Sequence, residues 1–239
     1  MNYVLVHGLG LSSAIWTKLA PLIEGSVSLV ALPGHGARPE RNCEWRNIWN
    51  EIEDAALSEE WPETILVLHS FSAAIFPELI ASKLMPKKVI LLEGIVCEEK
   101  DSWSRTVAQL SDQEYERWVR RFRSVSRMAL KHQLISNPAE EDLVYWSNAF
   151  KQVHPAVLRR CAINLQSRLN SVDMTEPIAR AQFPVTYVFG ERTRLKSTFK
   201  LFSKTAPCDM QIVANSGHFP MIDNPAVLVA MIKSAEGEE

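Results

Sequence analysis

Short apolar runs punctuate the chain, and between them apolar residues recur at helical spacing. The runs at 3–6, 27–31, 65–68, 89–92, 185–189 and 210–213 are too short for helices. They read as strands of a parallel sheet, with 3–6 as an inner strand and 65–68 as a buried one, since two buried faces call for near-continuous apolar sequence. Helices are expected at 12–23, with Ser12 or Ser13 as N-cap, at 45–57, from 71 to about 84, at 197–204 and at 225–232. Strands that alternate with helices imply a parallel sheet covered on both faces. From about 95 to 169 the alternation stops, and helical stretches at 103–110, 112–135, 140–150 and 155–169 replace it. The expected organisation is a core of residues 1–94 and 170–239 with a helical insertion, a lid, at 95–169.

Ligands of such sheets sit beyond the carboxyl ends of the strands. The loops at 7–10, 69–72, 93–98, 190–194 and 215–220 all follow strands and should converge. One of them stands out. Ile65–Leu68 is followed at once by His69-Ser70, and then Phe71-Ser72-Ala73-Ala74-Ile75 opens a helix with no Pro, Gly or Asn between. A strand that turns directly into a helix around one serine is a nucleophile elbow. It lifts the hydroxyl above the sheet edge and aims backbone N–H groups at a developing oxyanion. Small residues are wanted two before and two after the nucleophile. Ser70 has Leu68 and Ser72 there; the rival, Ser72, has Ser70 and Ala74. Ser70 is preferred, because His-Ser directly after the apolar run fits the strand's length.

Composition narrows the rest. The 239 residues suit one α/β domain with an insertion, and 46% of them are apolar, enough for a large core. A net charge of −2 gives no indication of nucleic acid or a membrane surface as partner. No apolar run approaches the length of a membrane span. The chain enters its first strand at once, so no signal peptide is expected. Cys43, Cys97, Cys161 and Cys208 lack metal-like spacing and are expected to be reduced thiols of a cytoplasmic protein. No metal or cofactor is called for. Residues 236–239 read as a solvated tail.

HGLG at 7–10, LPGHG at 32–36, LHSFSAA at 68–74 and NSGHFPMIDNP at 215–225 occur in one order along nearly the whole chain. In this the sequence resembles the α/β-hydrolase superfamily, as a compact member without the leading hairpin. The resemblance implies Ser70 as nucleophile, His218 as general base, and the backbone N–H groups of Leu9 and Phe71 as oxyanion hole. His7 and His35 would be structural, each beside a glycine in a tight turn. The acid departs from the pattern. Where relatives carry Asp, three residues past the glycine ending the penultimate strand, this chain has Thr193. Some relatives place the acid after the strand that follows the nucleophile helix. Here that position is Glu93, preferred over Glu191.

Serine at the elbow argues against the dehalogenase and epoxide-hydrolase branches, which use Asp. It implies acyl transfer from an ester, thioester or lactone. Carbon–carbon bond hydrolases, a proton-abstracting synthase of menaquinone biosynthesis and silenced ligand-binding members stay open. The insertion carries Trp103, Trp118, Phe122, Met128, Tyr145, Trp146 and Phe150, mostly as its own core with a few facing substrate. It also carries Arg117, Arg120, Arg121, Arg123, Arg127 and Lys131. They are read first as a solvated face. The sharper reading is attraction of an anionic small-molecule acyl substrate, such as a carboxylate or a coenzyme A ester. Oligomeric state is left open.

Overall fold

The computed structural model describes residues 1–36, 43–55, 58–193 and 195–233, with the backbone alone at 58–60. The end of the helix expected at 45–57, Arg194 of the loop at 190–194, and the tail lie outside the described residues. Six strands form one parallel sheet: β1 (Asn2–Val6), β2 (Ser26–Val30), β3 (Thr64–His69), β4 (Lys88–Leu92), β5 (Val185–Gly190) and β6 (Asp209–Val213). Their spatial order is β2-β1-β3-β4-β5-β6. Each run identified in the sequence falls in one of them, except that the run at 27–31 extends one residue past the end of β2.

The pleat divides the core in two. Val4, Leu66, Leu68, Val89, Leu91, Tyr187 and Phe189 pack into a cluster on one face. Their alternates Tyr3, Leu5, Ile65, Val67, Ile90, Leu92 and Val188 pack into a cluster on the other. Successive side chains of a strand point to opposite faces, so a continuous apolar run feeds both layers.

The helices are α1 (Trp45–Glu53), α2 (Phe76–Ser82), α3 (Trp103–Gln109), α4 (Asp112–Lys131), α5 (Glu140–Gln152), α6 (Pro155–Ser171), α7 (Thr175–Ala179), α8 (Lys196–Thr205), α9 (Pro220–Asp223) and α10 (Pro225–Lys233). The stretch 12–23 is not one helix but two 3-10 turns, Ser13–Trp16 and Ala20–Leu22. Ser12 does cap the first turn, accepting from the Ala14 N–H at 3.3 Å. Pro21 has no N–H for the carbonyl one turn back, so the helix cannot run through. The elbow helix is split for the same reason. Pro77 leaves the Ala73 carbonyl without its α-helical donor, and Phe76 N–H bonds it instead, closing a 3-10 turn over Ser70–Ile75 before α2 begins.

Helices α3 to α7 lie between β4 and β5, and α3 to α6 correspond to the helical stretches expected at 95–169. Ser111 and Glu114 form a capping box at the start of α4, which fixes that helix end in two reciprocal bonds. The segment is tied to the core by Trp146 Nε1 donating to Thr17 Oγ1 at 3.1 Å and by Asn164 Nδ2 donating to the Cys43 carbonyl at 3.1 Å.

One expectation is corrected. Cys43 and Cys161 are joined in a disulfide across 118 residues. Helix α6 packs on the loop ahead of α1 and brings together two cysteines whose sequence spacing gave no hint of it. Cys97 and Cys208 are free and partly buried. The cytoplasmic location argued from reduced thiols loses that support, since disulfides are rare there. Among the described residues, no helix is long and apolar enough to cross a membrane.

Candidate active site

Ser70 follows the last residue of β3 with φ of +56°, in the left-handed region. Such a conformation costs a residue with a side chain roughly 1 kcal/mol or more, and it is held by its surroundings. Gly8 is one reason that the turn can close. A Cβ at position 8 would lie 2.9 Å from Ser70 Cβ and 3.1 Å from His69 Nδ1. With glycine there, the loop after β1 runs against the elbow.

His218, on the loop after β6, lies with Nε2 3.0 Å from Ser70 Oγ and Nδ1 3.0 Å from Glu93 Oε2. The carboxylate assigns the tautomer. Nδ1–H donates to it, so Nε2 carries the lone pair that faces the serine hydroxyl. Glu93 follows the last residue of β4 with φ of +47° and is fully buried. It accepts further bonds from Gly190 N–H at 2.7 Å and from the Thr193 hydroxyl at 2.8 Å. A buried carboxylate needs such donors. Thr193 thus stands at the position that the family resemblance gives to the acid and supports the carboxylate arriving from β4.

The two alternatives lie elsewhere. Ser72 is fully buried, and its hydroxyl donates to the carbonyls of His69 at 2.9 Å and Val6 at 3.3 Å. Glu191 is exposed and accepts from Asn215 N–H at 2.8 Å.

The loop that carries Leu9 is fixed by two imidazoles. His7 Nε2 accepts from Leu32 N–H at 3.2 Å while Nδ1–H donates to the Gly8 carbonyl at 2.8 Å. His35 Nε2 accepts from Gly10 N–H at 3.0 Å while Nδ1–H donates to the Pro33 carbonyl at 3.0 Å. Both rings are completely buried. Burial, with the neighbouring His35, lowers His7 to about 3, and burial lowers His35 to about 4. Each is a neutral strut. Leu9 and Phe71 both line the cavity beside Ser70. Phe71 lies in the first turn of its 3-10 helix, where leading N–H groups have no acceptor within the helix.

That cavity measures about 650 Å³. With Ser70 and His218 its wall includes the apolar residues Leu9, Leu11, Phe71, Ile95, Phe122, Leu130, Phe150, Leu165 and Phe219. Lys100, Asp101, Ser102, Lys196 and Ser197 line it as well. Glu99 lies there too, but its carboxylate accepts from Ser197 and Thr198 N–H at the start of α8, at 3.0 and 2.6 Å. Of the insertion aromatics, Trp103, Phe122 and Phe150 reach the cavity. Trp118 stacks behind Phe122, with ring centroids 4.6 Å apart. Tyr145 and Met128 point to solvent, at 56% and 54% exposure. The basic residues of α4 are absent from the wall. Arg127 pairs with Glu140, and Arg123 donates to the Val153 carbonyl at 2.6 Å.

Sequence reasoning passed over Asp223. Its Oδ1 accepts from Ile135 N–H, Ser136 N–H and the Ser136 hydroxyl at 2.7–2.9 Å, and its Oδ2 accepts from Gly217 N–H at 2.9 Å. It joins the end of the α4 segment to the loop of His218. An acidic residue between Ile222 and Asn224 gives no local signal of contacts some 90 residues upstream.

The family model described as "Alpha/beta hydrolase family" matches residues 3–231. The chain belongs to that family. No curated protein matches it. Solved structures similar to it include an alpha/beta hydrolase fold protein from Burkholderia ambifaria, at TM-score 0.73 and 19% identity, with 98% of this chain and 90% of that one covered. An esterase from Exiguobacterium antarcticum aligns at TM-score 0.74 and 12% identity, over 99% and 92% of the two chains. A bromoperoxidase from Bacillus anthracis aligns at TM-score 0.74 and 13% identity, over 98% and 91%. At these identities the likeness is one of fold.

Proposed function

We propose that the protein is a cofactor-independent serine hydrolase that cleaves a carboxylic ester, thioester or lactone through an acyl-serine intermediate. The observation that carries this reading is the unbroken chain of hydrogen bonds from Ser70 Oγ through the His218 imidazole to the buried Glu93. Ser70 attacks the substrate carbonyl as His218 Nε2 takes its proton. The imidazolium so formed is stabilised by Glu93, which stays ionised. The tetrahedral oxyanion is received by the N–H groups of Leu9 and Phe71; losing one such donor typically costs ~3 kcal/mol of transition-state stabilisation. His218 then protonates the leaving group, and the sequence of steps repeats with water as nucleophile, releasing the acid and restoring Ser70.

The helical insertion acts as a lid over the strand ends, shielding the acyl group and excluding bulk water. The apolar wall near Ser70 suits the acyl portion of the substrate. An anionic group of the substrate is received by Lys100 and Lys196, which line the cavity, and not by the basic face of α4, which does not.

Hydrolysis of p-nitrophenyl esters by wild type and Ser70→Ala tests the assignment. The variant should lose activity by about 10³-fold or more while keeping its melting temperature. An active S70A would remove Ser70 from the mechanism. Hydroxylamine added to the reaction should yield the hydroxamate of the acyl group; a lyase or synthase would form none.

A further inference from the structure

His69 is unused in the mechanism above, although it precedes Ser70 and is completely buried. Its Nε2–H donates to the backbone carbonyl of His218 at 2.9 Å. The two imidazoles lie with centroids 5.1 Å apart and planes tilted by 49°, and Phe219 lies 5.5 Å from the His69 ring. Trp16 meets the ring edge-on at 6.2 Å. His69 Nδ1 is buried and has no hydrogen-bond partner among the described residues. Among the described residues, the bond to the His218 carbonyl is therefore the ring's single polar tie.

We infer that His69 is a positioning residue for the base: its Nε2–H anchors the peptide of His218, so that consecutive residues of one elbow hold both the backbone and the ring of the same histidine. The inference rests on the reading of Ser70 and His218 as the reacting pair. The arrangement has a clear physical consequence. An imidazole turns about its own backbone, and a misplacement of about 1 Å at a reacting group can cost on the order of 10²-fold in rate. Ser70 Oγ cannot itself prevent such drift, because its hydrogen bond to Nε2 is the bond that the reaction consumes. The His218 carbonyl takes no part in the chemistry, so a bond to it persists through every step.

A second requirement follows. Each turnover makes His218 cationic, and a charged neighbour would oppose that. Burial holds His69 well below the ordinary histidine range, and the adjacent His218 and His7 add to the effect. The ring stays neutral, with its one proton committed to the carbonyl.

The test compares wild type, His69→Leu and His69→Gln on p-nitrophenyl acetate and by rate of fluorophosphonate labelling. Leucine removes the donor. Glutamine keeps an amide N–H at about the reach of the imidazole Nε2. His69→Leu should lower kcat and the labelling rate about 100-fold with little change in KM, and His69→Gln should recover about tenfold of that. Equal rates for His69→Leu and wild type, equal loss in both variants, or a loss confined to KM would overturn the inference. A wild type that resists labelling would overturn the parent reading and this one together; a labelled wild type matched by His69→Leu would overturn this one alone. Should His69→Leu fail to fold, nitrogen-15 spectra of the wild-type histidines decide. One buried ring must stay neutral with its proton on Nε2 at pH 5; a proton on Nδ1, or titration near the ordinary value, contradicts the inference.

Discussion

Thr193 stands where the family resemblance expects a carboxylate, and the carboxylate that reaches His218 is Glu93. The charge directly after Val-Ile-Leu-Leu was the informative feature, because a carboxylate ending a buried strand needs partners. It has three: His218, Gly190 and Thr193. Motif order pointed to Ser70 and His218, which the structure brings within 3.0 Å of each other. The roles of Thr193 and Asp223 as hydrogen-bonding supports were not legible, because those contacts join residues far apart in the chain. Glu93→Gln keeps the shape but removes the charge that balances the imidazolium. It should lower kcat on p-nitrophenyl esters by about 10²–10⁴-fold, whereas Glu191→Gln should stay within about twofold of wild type. Initial-rate kinetics on the two variants check this.

At the scale of elements, the four inner strands were legible because two-sided burial writes itself as an apolar run, whereas the partly exposed edge strands β2 and β6 were legible from their place in the alternation with helices. The helices were less so. Pro21 and Pro77 each break a pattern whose spacing alone reads as one helix, and the outcome depends on which carbonyl loses its donor. The least legible feature is the link from α6 to the loop ahead of α1. Periodicity says nothing about which two of four cysteines meet. The Cys43–Cys161 bridge closes a loop of 118 residues, and a loop of that size restricts the unfolded chain by about 3–5 kcal/mol. Cys43→Ala/Cys161→Ala should unfold at a correspondingly lower urea midpoint than wild type. Reductant should lower the wild-type midpoint and leave the double variant's unchanged. Equal midpoints for oxidised wild type and double variant would mean that the bridge contributes no stability.

Over the whole molecule, the buried imidazoles tie stability to pH. His7 and His35 are neutral when folded, lowered to about 3 and about 4, but in the unfolded chain they titrate near ~6.5. Above that value neither state binds their protons, and they contribute no pH dependence. As pH falls below it, the unfolded chain takes up protons that the folded one refuses, so stability declines until the folded values are reached. Each group accounts for about 1.4 kcal/mol per unit of pH in that window. Urea midpoints should therefore drop steadily between about pH 6.5 and 4, and His35→Gln should flatten part of the slope. A wild-type midpoint that is level across this range would show that these rings protonate freely in the folded state.

The central claim is that the fold delivers an activated serine to one end of an apolar cavity. It is tested most directly by treating the protein with a fluorophosphonate and locating the adduct by peptide mass spectrometry. The account predicts one covalent adduct, on Ser70, formed with the intact protein and absent after Ser70→Ala or prior unfolding. An intact protein that acquires no adduct, or that acquires it on Ser72, contradicts it.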